Sequence, residues 1–281
     1  MLTRHHLASL LMILAAPGAL AQGALRAGEE QLVNYAFATQ LGSGVYDVSG
    51  RTLQIYRVPF SYSFTEPAID RPGMRLTLPV TLGLLDFEPR DVLETGLPES
   101  FDTLSFVPGI ELDFELSPRW HFLPFGEVGR AWDLGNDADA DVYSFGAHAA
   151  ATWSEEWLDV LFLDVGVTYT AVEPDAPLHK DDVLLVEIGL EGLDALAVSV
   201  AGYALDWGPY ALVQAFVDAA EEPLDQAPKS ADPYQFEVGV TLGTREDVTV
   251  WQIPLGRFRI GLGYRFGEDL DAWRLVFGAP F

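Results

Sequence analysis

Long stretches of the chain place hydrophobic and polar residues at alternate positions. Between Arg71 and Phe87, Met74, Leu76, Leu78, Val80, Leu82 and Leu84 share one parity, and Arg75, Thr77, Pro79, Thr81 and Gly83 the other. From Phe101 to Leu116, Leu104, Phe106, Pro108, Ile110, Leu112 and Phe114 face Thr103, Ser105, Gly109, Glu111, Asp113 and Glu115 in the same way. Tyr234 to Leu242 and Phe258 to Phe266 repeat it. Successive side chains of a strand point to opposite faces, so each run has one greasy face and one polar or glycine face.

Strands of soluble sandwiches average about five or six residues, whereas several runs here exceed ten. A tilted strand crosses the hydrocarbon layer in about 9–11 residues, and a sheet in lipid has to close on itself because an open edge cannot be hydrated. The expected fold is therefore all-β, a transmembrane antiparallel β-barrel of twelve strands. Aromatics near run ends, such as Tyr56, Phe60 and Tyr62 or Trp120 and Phe122, suit the interfacial girdles of such barrels. The expected strands are 32–48, 52–64, 72–87, 102–116, 119–134, 141–153, 156–171, 181–192, one overlong strand from Ala195 to Val217, then 234–244, 257–267 and 271–281. Tight turns at Ser117-Pro118, Ser154-Glu155 and Leu193-Asp194 then face the periplasm, and both termini with them. The segment 245–256 is long for that side. An amphipathic helix at 29–40 inside the pore is the alternative to the first strand.

Ahead of the barrel, Arg4, the apolar stretch Leu7 to Leu14 and Ala19-Leu20-Ala21 read as a secretory signal cleaved before Gln22. The domain plan is a signal peptide at 1–21, a short periplasmic segment at 22–31 and a barrel at 32–281. The localisation expected is the outer membrane of a Gram-negative bacterium. A formal charge of −26 speaks against nucleic acid as a partner, since phosphate is held by clustered Lys and Arg. With no cysteine, disulfides and thiolate metal sites are excluded.

Much of the acidic excess falls in the expected outer loops, at Asp91, Glu94, Glu99, Asp137, Asp139, Glu173, Asp175, Glu221, Glu222, Asp225, Glu268 and Asp269. Beside anionic lipopolysaccharide these form a solvated acidic face; divalent bridging to lipid phosphates is the other reading, although no EF-hand spacing occurs. Parity puts Arg57, Arg75, Glu111, Glu115, Glu127, Glu187, Glu191, Arg257, Arg259 and Arg265 toward the lumen, where opposed rows of Arg and Glu would fill and cross-link a narrow interior. No P-loop, dinucleotide fingerprint, H-E-x-x-H or G-x-S-x-G occurs, and no cofactor, metal or catalytic group is assigned. Ser144 and His148 share a strand face but lie about 13 Å apart along it, out of hydrogen-bond reach. The expectation is a non-enzymatic structural or surface-interaction barrel. A narrow channel for small solutes or ions is the alternative, and a lipid-acting enzyme the third.

The chain ends on Phe281, with Trp273, Leu275, Phe277 and Ala279 before it at every second position. This pattern resembles the assembly signal read by the outer-membrane barrel-insertion machinery, and it places the Phe281 ring in the aromatic belt. The segments Ala38 to Gly44, Gln54 to Arg57, Pro59 to Tyr62, Leu76 to Thr81, Ser105 to Gly109, Gly261 to Gly267 and Arg274 to Phe281 together resemble the solitary outer-membrane autotransporter-like β-barrel family. That resemblance implies a twelve-stranded translocator-type barrel without a passenger and carries over no catalytic residues. The short stretch between Gln22 and the first strand is expected to hold no passenger either.

Overall fold

The computed structural model describes residues 43–48, 51–85, 103–134, 139–155, 158–175, 181–218, 234–246, 248–250, 253–254, 257–267 and 270–281. Every regular element among them is a strand: β1 (Gly44–Val48), β2 (Arg51–Thr65), β3 (Gly73–Leu85), β4 (Thr103–Phe106), β5 (Gly109–Ser117), β6 (Trp120–Asp133), β7 (Ala140–Glu155), β8 (Leu158–Pro174), β9 (Asp181–Val200), β10 (Tyr203–Asp218), β11 (Tyr234–Thr244), β12 (Thr249–Val250), β13 (Ile253–Pro254), β14 (Arg259–Phe266) and β15 (Leu270–Phe277). The expected cleavage residues Ala19, Ala21 and Gln22, the segment 32–42 of the expected first strand and the alternative helix at 29–40 lie outside the described residues.

All strand pairs are antiparallel, and the ring closes where β1 pairs with β15. β4 and β5 are two halves of one strand, separated at Val107-Pro108, and both lie between β3 and β6. Counted so, and leaving out the separate β12–β13 hairpin, the barrel has 12 strands. The two-residue alternation explains why one sheet can satisfy both faces. Outward positions carry the exposed large apolar residues, among them Ile110, Phe145, Val167, Leu262 and Trp273, whereas the positions between them are buried or half-buried; the end of β2 around Phe60 is exposed at both parities. Proline, which lacks a donor, sits opposite proline where Pro59 meets Pro79 in the β2–β3 register.

The strand directions give the barrel a turn end and a loop end. At the turn end, the Ser117 hydroxyl accepts from the backbone N–H of Trp120 at 3.2 Å, which tightens the reversal through Pro118. Two expected turns move. Leu193 and Asp194 lie within β9, paired with Val160 and Trp207, so no reversal occurs there. The chain instead turns at Ala201-Gly202, both left-handed (φ 52° and 89°), and the expected single strand from Ala195 to Val217 is divided between β9 and β10. Paired left-handed residues are what a two-residue hairpin needs for its twist to match the flanking strands. The β9–β10 hairpin therefore runs past its neighbours: β8 pairs with β9 only as far as Leu193, and β11 with β10 only from Leu205. Ser154 and Glu155 lie within β7, where Glu155 pairs with Leu158, so the second expected turn does not fall on them. The long 245–256 segment contains its own small hairpin, β12 with β13.

Candidate functional site

The lumen carries the dense polar structure of this chain, and the strand register assembles it. Glu237 on β11 lies one strand from Arg265 on β14 and two from Arg274 on β15. Its carboxylate accepts from Arg265 Nε at 2.8 Å, Arg274 Nη1 at 2.6 Å and the Tyr210 hydroxyl at 2.5 Å. Arg265 and Glu237 are each only 1% exposed. Gly263 gives this group its room, because a Cβ there would run into the Tyr210 hydroxyl. Nearer the turn end, Arg259 donates to Asp206 at 2.5 Å and to the Thr241 hydroxyl at 2.8 Å, with Glu191 at 3.5 Å. Thr241 in turn donates to Glu191. Burial of such ions is tolerated only when they are paired and hydrogen-bonded.

A further cluster occupies the adjoining strands. His148 Nδ1 on β7 lies 2.7 Å from Asp164 Oδ1 on β8 and 3.8 Å from Glu187 Oε1 on β9. Gln214 on β10 donates to Glu187 Oε2 at 2.9 Å, and the Phe125 ring lies against the imidazole at 5.6 Å between centroids. Ser144 bonds Thr170 at 3.1 Å, while His148 is engaged by the carboxylate. The serine and the histidine thus have different partners. Toward the loop end the inward residues become apolar: Val107, Ala131, Ala140, Val142, Val172, Val183, Leu185 and Phe216 form one buried cluster.

The expected lumen charges distribute as follows. Arg75 pairs with Glu111 at 3.2 Å, and Glu127 accepts from Thr77 at 3.1 Å. Arg57 and Glu127 line a cavity of about 10 Å³, room for a single water and far below the size of a small-molecule pocket. Glu187, Glu191, Arg259 and Arg265 are buried in the networks above, and Glu115 is half-buried opposite His121. Two of the set are exposed: Arg75, although paired, and Arg257, which precedes β14. Asp164, Asp206, Tyr210, Gln214, Gln235, Glu237 and Arg274 belong to the lumen networks and were not among the expected charges. Each falls on the inward parity of its strand, so parity was the available signal.

The last residues depart most from expectation. Trp273, Leu275, Phe277 and Ala279 are exposed, as the alternation implies. Gly278 then takes a positive φ of 86°, Pro280 is buried, and its carbonyl oxygen lies 3.4 Å from Arg274 Nη2. Phe281 consequently turns into the lumen, stacking on Phe162 at 5.9 Å with the planes 13° apart. A Cβ at Gly189 would strike that ring, so the glycine is the floor on which it sits. The belt placement expected for Phe281 is corrected accordingly: one left-handed glycine breaks the parity that the preceding residues keep.

Of the expected outer-loop acids, Asp139, Glu173 and Asp175 are among the described residues. Arg130 gathers Asp139, Asp141 and Asp175 at the loop end, while Glu173 lies within β8.

The fold and its interior define a closed 12-stranded antiparallel barrel with an ion-paired lumen. Neither a protein-family model nor a curated protein sequence matches the chain.

Proposed function

We propose that this chain is an integral β-barrel of a Gram-negative outer membrane, autotransporter-like in architecture, with a structural or surface-interaction role rather than a conducting one. The observation that carries this reading is the inversion of its two surfaces. Large apolar side chains cover the outside while Arg, Glu, Asp and Gln are buried inside. In water, apolar exposure on this scale would cost about 25 cal/mol for every Å², and monomeric soluble proteins seldom expose patches beyond a few hundred Å². A hydrocarbon layer removes the cost.

The dimensions fit. The outward apolar run from Phe258 to Phe266 extends about 27 Å along β14, or roughly 20 Å of barrel height at the usual tilt, near the ~25 Å apolar band of such barrels. Aromatics gather near both ends of the belt: Trp120 with Trp153 and Tyr62 with Phe64 toward the turn end, Tyr264 with Trp273 and Phe236 with Phe266 toward the loop end. Amphipathic rings favour the depth of the lipid headgroups. The membrane lipid and lipopolysaccharide are then the standing partners, and the barrel-insertion machinery the transient one. Against conduction stand the cross-linked lumen, its apolar layer and the inward ring of Phe281. Separation of the envelope by sucrose density and an unboiled gel test the first part, with the protein expected in the outer-membrane fraction and shifted in mobility by boiling. Planar bilayers test the second. Steady large conductance steps from the purified barrel would show that the lumen is an open path.

A further inference from the structure

We propose that His148, Asp164 and Glu187 form a divalent-metal site inside the barrel, suited to a borderline transition ion such as Zn²⁺. One imidazole nitrogen with two carboxylate oxygens is a donor set that such ions accept. The three residues come from β7, β8 and β9, and one potential ligand atom from each lies within 4.8 Å of the others. Donors sharing an ion at bonds of about 2.0–2.1 Å stand roughly 3–3.4 Å apart. The observed 2.7 Å from His148 Nδ1 to Asp164 Oδ1 and 3.8 Å to Glu187 Oε1 bracket that spacing. A few tenths of an ångström in side chains would admit an ion, with the imidazole proton given up to solvent.

The surroundings are those of a built site. Gly166 opens the space, since a Cβ there would come within 2.7 Å of the imidazole ring. Gln214, only 3% exposed, holds Glu187 by its far oxygen and so keeps Oε1 turned to His148. A partner that fixes the distal oxygen of a ligating carboxylate is a regular part of metal centres. The Oε1 atom of the same Gln214 is buried and has no hydrogen-bond partner, which suits it to accept from water carried on an ion. Charge points the same way. Asp164 is 5% and Glu187 9% exposed, and Arg75, 3.2 Å from Glu111, is engaged with that carboxylate. Two buried carboxylates on one imidazole leave the pocket negative, and a dication neutralises it.

The test refolds the full chain from urea into detergent micelles, once with Zn²⁺ and once with EDTA, and counts metal after gel filtration. About one zinc per chain is expected to survive the column, and the zinc-loaded barrel is expected to unfold at higher temperature than the EDTA sample. His148→Gln and Asp164→Asn are expected to retain less than a tenth of that zinc; heat-modifiable mobility shows whether each has folded. Cobalt substituted in the wild-type chain is expected to give visible absorption from nitrogen–oxygen coordination, which needs no variant. Wild-type protein without stoichiometric zinc overturns the assignment. Zinc that persists in folded His148→Gln, or that is lost in His121→Ala or His179→Ala, overturns it as well.

Discussion

Neighbouring positions on β11 live in opposite worlds. Phe236, Val238, Val240 and Leu242 are exposed to whatever surrounds the barrel, while Gln235, Glu237 and Thr241 between them are at most 1% exposed. A soluble domain has the same alternation with the two environments exchanged. On the membrane reading proposed above, the two faces meet different media: outside, apolar contact suffices, and inside, a buried charge needs a partner. It also divides the energetics, because a side chain on the outer face answers to the medium and one on the inner face answers to specific residues.

The largest effect is expected inside. Glu237→Ala removes the carboxylate that Arg265 and Arg274 share and leaves two buried cations facing each other, a loss of about 3–5 kcal/mol. Urea unfolding of the refolded barrel in vesicles measures it; a cost below about 1 kcal/mol would mean that the lumen is wet enough to screen the pair. Three positions along that strand, on the other face, Val240→Arg is the sharper comparison. In a bilayer it is expected to cost about 2–4 kcal/mol near the midplane. At a water-facing position the same change stays within about 0.5 kcal/mol, so the result separates the two media.

Gly189→Leu should come next, at about 1–3 kcal/mol, because the new side chain competes with the Phe281 ring for one space. Deleting Phe281 from that variant is expected to restore most of the loss, and an unchanged loss would place the ring elsewhere. The smallest change is Arg75→Ala. Its guanidinium is 46% exposed beside Glu111, and a solvated pair of that kind contributes under about 1 kcal/mol by the same unfolding assay.

Much of this fold could be read from residues alone, because alternation is a local property. The parity of Met74 to Leu84 or Phe258 to Phe266 already assigns each face, and the ends of β2, β3, β6 and β14 fall within two residues of expectation. The β9–β10 turn was obscured by composition. Ala201-Gly202 lies amid small and apolar residues, and nothing short of the backbone angle marks Ala201 as left-handed. The lumen partnerships were illegible for a different reason. Arg259 meets Asp206 across 53 positions and Thr77 meets Glu127 across 50, distances that only sheet register resolves. His148, Asp164 and Glu187 likewise match no ligand spacing along the chain, yet three adjacent strands bring them together. Phe281 shows the limit of extrapolating parity past a glycine.

The absence of native cysteine allows a direct test of the outer face. Single cysteines placed in turn from Tyr234 to Leu242, labelled with a small fluorophore and refolded into vesicles containing brominated lipid, report contact with acyl chains residue by residue. A lipid-facing belt predicts quenching at Phe236, Val238, Val240 and Leu242 and little at Gln235, Glu237, Gly239 and Thr241. Equal, weak quenching along the whole strand would contradict it, and with it the membrane assignment.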